Sequence, residues 1–301
     1  MEFIGKTRIN FMGMKKISFI ISGVISIIGI IAIIQIARGS ANMGTDFTGG
    51  TVLQLRFEKP VHMDQARRAL TKNGLEVSLQ EIKGGNQLLI KVGKANVAMG
   101  KVSDAVQEVF KKEFADNRFT VDSSSEIGPS IGEKLRNDTL IAVAISFLGI
   151  ILYIAWRFDF KFGISAVLAT THDVLAVFAV FFLFNKEINL LLITAVLTIA
   201  GYSLTDTVVV FDRIRENLRK NLKESLHNIF NASINEVLSR TIITSLTTLL
   251  ATLSLFFFGG EVIHDFAFAL AFGVIIGTYS SVFVASPIVE ILESHAKPAK
   301  A

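Results

Sequence analysis

Asp206 has the strongest claim on chemistry in this sequence. It sits in the run Gly201-Tyr202-Ser203-Leu204-Thr205-Asp206-Thr207, which leads through Val208 to Val210 into the charged cluster Asp212-Arg213-Ile214-Arg215-Glu216. An ionised carboxylate deep in an apolar span costs about 2.5–3.5 kcal/mol on insertion scales, so it faces a partner, a cavity or an ion path. The plainer alternative is that Asp206 lies near one end of its span and is simply hydrated. Arg240 opens a later apolar run carrying Thr241, Thr244, Ser245, Thr247, Thr248 and Thr252, mostly on neighbouring turns of one face. Hydroxyls so placed can bond across helices or support a water chain, and Arg240 could neutralise a carboxylate on the adjacent helix. The competing reading is a guanidinium that snorkels to the interface. His172-Asp173 is a second ionisable pair inside an apolar run. It suits either a proton relay or hydrogen bonds that lock helices together.

Two glycine motifs carry geometry rather than chemistry. Gly44-Thr45-Asp46-Phe47-Thr48-Gly49-Gly50 has the look of a phosphate loop but lacks the Gly-Lys-Ser/Thr ending of a nucleotide site. Its glycines predict a tight turn with positive φ. Gly128-Pro129-Ser130-Ile131-Gly132 punctuates the chain in the same way further on. Both fall where a folded segment joins an apolar one, which is where a hinge would have to be.

The elements that position these residues follow from composition. Of the 301 residues, 51% are hydrophobic, and the mean hydropathy is +0.53, too apolar for two soluble domains. Six apolar runs are long enough to span a bilayer: Ile17 to Ala37, Leu140 to Trp156, Phe162 to Phe184, Ile188 to Phe211, Ile242 to Phe258 and Phe266 to Val289. The first follows Lys6, Arg8, Lys15 and Lys16 and is too long for the apolar core of a cleaved signal, so it is expected to stay as an anchor. The net charge of +4 comes from basic residues beside apolar runs, the pattern of topology signals rather than of a nucleic-acid site. Lys15, Lys16, the turn Arg157 to Lys161, the loop Arg213 to Arg240, Lys297 and Lys300 then share the cytoplasmic side. Both termini are expected there, and the segment from Arg38 to Asp138 outside. The absence of cysteine excludes disulfides and thiolate chemistry.

The outside segment reads by its periods as β-α-β-β-α-β. Thr51 to Phe57, Leu75 to Ile82, Leu88 to Val92 and Arg118 to Asp122 are strand-like, with a Gly84-Gly85 turn between the middle pair. His62 to Lys72 and Val97 to Phe114 are helical. The predicted class is a membrane α-helical protein with six transmembrane helices and an extracytoplasmic α+β ferredoxin-like domain between helices 1 and 2. The predicted divisions are 1–37 for the N-terminus and first helix, 38–138 for the ferredoxin-like domain, 139–292 for helices 2–6 and 293–301 for the tail. No nucleophile-base pair or metal-ligand cluster is found in the outside domain or the cytoplasmic loops, so an enzyme is not expected.

The glycine motifs, His172-Asp173, the stretch from Gly201 to Glu216, and Arg240-Thr241-Ile242-Ile243-Thr244-Ser245-Leu246-Thr247-Thr248-Leu249 together resemble the motif set of the SecD/SecF family, on the SecF side. The likeness covers nearly the whole chain in the family's order, and Gly201 to Glu216, with Gly201, Thr207, Asp212 and Arg213 among its motif positions, is its most specific part. The resemblance implies half of a resistance-nodulation-division type transporter, completed by a SecD-like subunit to twelve helices. It further implies association with the SecYEG channel, with YajC and YidC, and with translocating preprotein, in the bacterial inner membrane. The coupling ion would be the proton, with no other cofactor. Asp206 and Arg240 match positions implicated in proton movement, with His172, Asp173, Thr244 and Thr248 as further candidates for the path. A half-transporter that exports small molecules or lipids is the rival reading, and a mere anchor for a binding module is another.

Overall fold

The computed structural model describes residues 7–82, 86–95, 101–221 and 223–296. Lys6, the Gly84-Gly85 turn, the first four residues of the predicted 97–114 helix, Lys297 and Lys300 lie outside them. The chain divides into two compact units, 43–141 and 1–42 together with 142–301.

The smaller unit holds β1 (Gly50–Phe57), α3 (Met63–Lys72), β2 (Leu75–Ile82), β3 (Gln87–Ala95), α4 (Val102–Glu113) and β4 (Phe119–Ile127). It opens with a short helix, α2 (Thr45–Thr48). The sheet order is β2-β3-β1-β4, and each neighbouring pair is antiparallel. That is the split β-α-β arrangement predicted from period alone. Alternation along β1 sends Leu53, Leu55 and Phe57 into a core with Ala66 and Leu70 of α3, Leu88 and Ile90 of β3, and Val106 and Phe110 of α4. On the other face of the sheet, Arg56 pairs with Asp122 at 2.9 Å.

Strand β4 runs five residues past the predicted Asp122 because its pairing with β1 continues to Gly50↔Ile127. The Gly44 to Gly50 motif is also more than a turn. Thr45–Thr48 closes one helical turn, after which Gly49 and Gly50 take φ of 75° and 142°, the left-handed side that disfavours a Cβ. A methyl on Gly132 would come within 3.0 Å of the Gly49 nitrogen and 3.1 Å of the Phe47 oxygen. The two glycine motifs therefore meet at a single joint, where the close approach of backbones requires glycine.

The larger unit contains α1 (Lys15–Ala37), α6 (Phe160–Leu183), α7 (Leu190–Lys220), α8 (Leu226–Phe258), α9 (Glu261–Ser280) and α10 (Ser286–Ala296). The long helix α5 (Pro129–Arg157) leads into it. Among the described residues, six helical stretches are long and apolar enough to cross a membrane, in agreement with the six predicted. Several run past their apolar limits: α5 begins eleven residues before Leu140, and α8 sixteen before Ile242. Hydrophobicity marks the bilayer, whereas Asn189 and Ser225 mark helix starts, their side chains accepting from the Leu192 and Asn228 amides.

Small residues let the bundle close. A Cβ on Gly29 of α1 would meet the Leu175 carbonyl oxygen of α6 at 2.3 Å, and one on Gly277 of α9 would meet Ser203 of α7 at 3.0 Å. Between α9 and α10 the helix widens into a π-turn over Ser281–Ala285. Pro287 accounts for this locally, since it has no amide hydrogen to continue the ladder. The Ser286 hydroxyl instead donates to the Ser281 carbonyl at 2.8 Å.

Candidate functional site

The buried face of α7 repeats every three or four residues through Ala195, Ile199, Ser203, Asp206, Val210 and Ile214. Asp206 thus occupies a position where an apolar residue would be expected, with 9% of its surface exposed. Its carboxylate accepts a 2.7 Å hydrogen bond from Ser281 Oγ. Little of the carboxylate is open to solvent.

Asp173 lies deeper, on a face of α6 that is buried nearly throughout. One oxygen meets His172 Nδ1 at 2.9 Å, and the other accepts from Ser280 Oγ at 2.7 Å and from Ser203 Oγ. Three helices converge on this carboxylate. His172 Nε2 is buried and has no hydrogen-bond partner among the described residues, and the ring lies 6.4 Å from that of Tyr279. The Tyr279 hydroxyl in turn bonds the Ser18 carbonyl and the Ser22 hydroxyl of α1, each at 3.1 Å.

Arg240, which could either pair with a carboxylate or snorkel to the interface, is open to solvent. Among the described residues its guanidinium makes no salt bridge, and it stands exposed on the wall of an open cavity of about 1400 Å³. Arg8, Asn10, Arg213, His227 and Thr244 share that wall. The hydroxyl ladder of α8 is also largely closed on itself. Thr244 Oγ1 lies within hydrogen-bond distance of the Arg240 and Thr241 carbonyls, at 3.1 and 3.0 Å, and Thr248 Oγ1 donates to the Thr244 carbonyl at 3.0 Å. Such back-bonding satisfies a threonine without a neighbouring helix. Ser245 does bond across, to Thr278 Oγ1 at 2.6 Å and Tyr202 Oη at 3.3 Å. Thr241 Oγ1 is buried beside the Asp206 carboxyl, without a close hydrogen-bond partner among the described residues.

The charged end of α7 is tied by ion pairs. Asp212 pairs with Arg157 of α5 at 2.6 Å, and Arg213 bridges Glu216 and Glu236 of α8, each at 2.6 Å. Thr207 is buried, and Gly201 faces open space. Gly44 caps α2, with Asp46 in its first turn and Phe47 buried beneath it. Gly128 and Pro129 lead into α5, and Gly132 lies against Gly49.

Sequence reading missed Ser280 and Ser281. The only signal is a run of three hydroxyl residues, Tyr279-Ser280-Ser281, inside an apolar run a few residues before Ser286-Pro287.

The comparisons with known proteins fit this arrangement. Residues 105–295 match the family of the protein export membrane protein SecD/SecF, C-terminal, and residues 42–61 match the SecD/SecF GG motif. A protein translocase subunit SecF of Thermodesulfovibrio yellowstonii is 50% identical over 294 residues, covering 97% of each chain. The SecF subunit of Calditerrivibrio nitroreducens is 40% identical, over 96% of this chain and 95% of the relative. Among solved structures, SecDF of Thermus thermophilus, a translocon-associated membrane protein, superposes with a TM-score of 0.83 at 36% identity over 96% of this chain. The chain spans 39% of that longer protein. Relatives that carry the translocase name over nearly their full length do not favour the exporter alternative. A multi-pass bundle with a β-α-β-β-α-β unit after its first helix, both glycine motifs at one joint and matches of this extent together place the chain in the SecD/SecF family, as a SecF-type protein-export membrane subunit.

Proposed function

We propose that this chain works with a SecD-like subunit to draw on the proton motive force and promote preprotein movement through the SecYEG channel. Asp206 is the residue that takes up and releases the proton. The observation that carries this reading is a carboxylate inside a spanning helix, nearly buried and met by neutral hydroxyls of neighbouring helices, Ser281 at 2.7 Å with Thr241 beside it, rather than by an ion pair. A carboxylate in that setting changes the polarity of the helix contact when it changes charge. Moving one charge through 100 mV is worth about 2.3 kcal/mol, so a few protons suffice to bias a two-state element. Arg240, on the open cavity, supplies a positive field nearby and pairs with Asp206 in a second state of the cycle.

In this reading the protein resides in the bacterial inner membrane with both termini cytoplasmic, as the basic loops direct. The β-α-β-β-α-β unit lies outside, and the glycine motifs 44–50 and 128–132 serve as its hinges. YajC and YidC complete the assembly, and no cofactor other than the proton is used. The test is Asp206→Asn, expressed with the partner subunit in inverted vesicles. The uncoupler-sensitive part of preprotein export should disappear while the complex assembles normally. Its retention would overturn the assignment.

A further inference from the structure

Ser280 and Ser281 are consecutive, fully buried, and serve different helices: Ser280 Oγ donates to Asp173 on α6 and Ser281 Oγ to Asp206 on α7. Each hydroxyl also lies within hydrogen-bond distance of a carbonyl on its own helix, Gly277 at 3.2 Å for Ser280 and Thr278 at 3.0 Å for Ser281. A serine hydroxyl has one hydrogen to give. It goes to the carboxylate while that group is charged and turns back to the helix carbonyl when the group is neutral, since a charged acceptor binds it more strongly. Each serine is therefore a two-position donor set by the charge of its carboxylate.

The two donors are not independent, because they share the peptide that begins the π-turn. The carbonyl of Ser281 holds the Ser286 hydroxyl that closes this turn. A change at Ser281 is thereby felt both by the widened turn and by its neighbour Ser280. Ser203 extends the link from the other side, donating to Asp173 one helical turn before Asp206 on the same helix. π-turns inside α-helices recur at functional positions, where the extra residue can be taken up or released.

We infer that Ser280 and Ser281 are positioning residues that couple protonation of Asp206 to that of Asp173, so that the two carboxylates load as one unit. This rests on the reading of Asp206 as the proton-carrying group and adds a second group to it. The titratable or charged groups around the pair are few. His172 faces Asp173 on its own helix, Tyr279 lies beside His172 from α9, and Arg240 stands on α8 without an ion pair among the described residues. From α1, hydroxyls and a carbonyl face the cluster, while Lys15 is drawn away to Glu290 at 2.9 Å.

The experiment is an infrared pH titration of the full chain with its partner subunit in lipid vesicles. The Asp206 carboxyl band is identified by its loss in Asp206→Asn. Asp173→Asn should move the Asp206 midpoint by roughly one pH unit, about tenfold in proton affinity, as expected of interacting sites. In the Ser280→Ala background the same change should move it much less. An unmoved midpoint in Asp173→Asn overturns coupling, and a shift that persists undiminished without Ser280 shows that it acts through space, which overturns the role of the serines. Should Ser280→Ala fail to assemble, Ser280→Cys keeps the shape with a weaker donor and takes its place. A titrating Asp206 that ignores Asp173 leaves the proposed function intact, whereas an Asp206 without a titrating band removes its basis, so the two failures are distinct.

Discussion

Asp206 and Arg240 sit on neighbouring helices without forming an ion pair. The carboxylate is bonded to Ser281 and buried, while the guanidinium lines an open cavity. Arg240 therefore acts on Asp206 through its charge rather than through contact in this state. Arg240→Lys, which keeps the charge but not the planar fork, should retain part of proton-dependent export. Arg240→Gln should lower it by about tenfold or more, the equivalent of about 1.4 kcal/mol in the coupled step. Export rates in inverted vesicles check the order, and equal loss in both variants would point to a bidentate contact instead.

Asp173 holds α6, α7 and α9 through Ser203 and Ser280. Asp173→Leu leaves two buried hydroxyls and His172 without an acceptor, at a cost of about 1–3 kcal/mol for each group that finds no other. Thermal unfolding in detergent should show a clear fall in midpoint for Asp173→Leu and a small one for Asp173→Asn.

How much of this was legible depended on whether local chemistry or helix register decided the matter. Spanning runs such as Phe162 to Phe184 announce themselves by apolar length, and the strand containing Leu53, Leu55 and Phe57 by alternation. Asp206 was legible because a carboxylate in an apolar run has few innocent explanations. Ser280 and Ser281 were not, since a serine in a membrane helix is ordinary and their targets depend on the π-turn that Pro287 and Ser286 produce together. For Arg240 the sequence allowed either pairing with Asp206 or a place at the interface, and only helix packing decides between them: here Thr244 bonds its own helix and Arg240 turns to the cavity.

The α1–α6 contact depends on Gly29, where a Cβ would meet the Leu175 carbonyl oxygen at 2.3 Å. Backbone cannot step aside as a side chain can, so Gly29→Ala should destabilise the bundle by about 1–3 kcal/mol through overpacking. Gly23, on the same helix with nothing within 4 Å, is the control: Gly23→Ala should leave the unfolding midpoint nearly unchanged.

At the glycine joint, Gly50 has φ of 142°, and a Cβ there would approach the Val92 oxygen at 2.6 Å. Gly50→Ala combines backbone strain with a clash and should cost about 1–3 kcal/mol or more. Limited proteolysis of the full chain should then cleave within 43–141 faster than in the parent, while Gly93→Ala, with open space around it, should not.

The last expectation concerns the chain on its own. In the best window of α6, 67% of residues are buried, against 6% for α5 and 11% for α8. Leu140, Ile145, Leu148 and Leu152 of α5 and Leu246 and Leu250 of α8 are all exposed. The helix that carries Arg240 thus packs against α7 and α9 on one side and is uncovered on the other. A proton path needs polar groups or water on all sides at the depth of Asp206, because hydrocarbon against an open face raises the cost of any charge there. Reconstituted alone into vesicles with an imposed potential, the chain should pass protons no faster than protein-free vesicles, and adding a SecD-like subunit should raise the flux in a manner that Asp206→Asn abolishes. Robust flux through the lone chain would mean that the path is complete within these six helices and that the partner serves the preprotein rather than the proton.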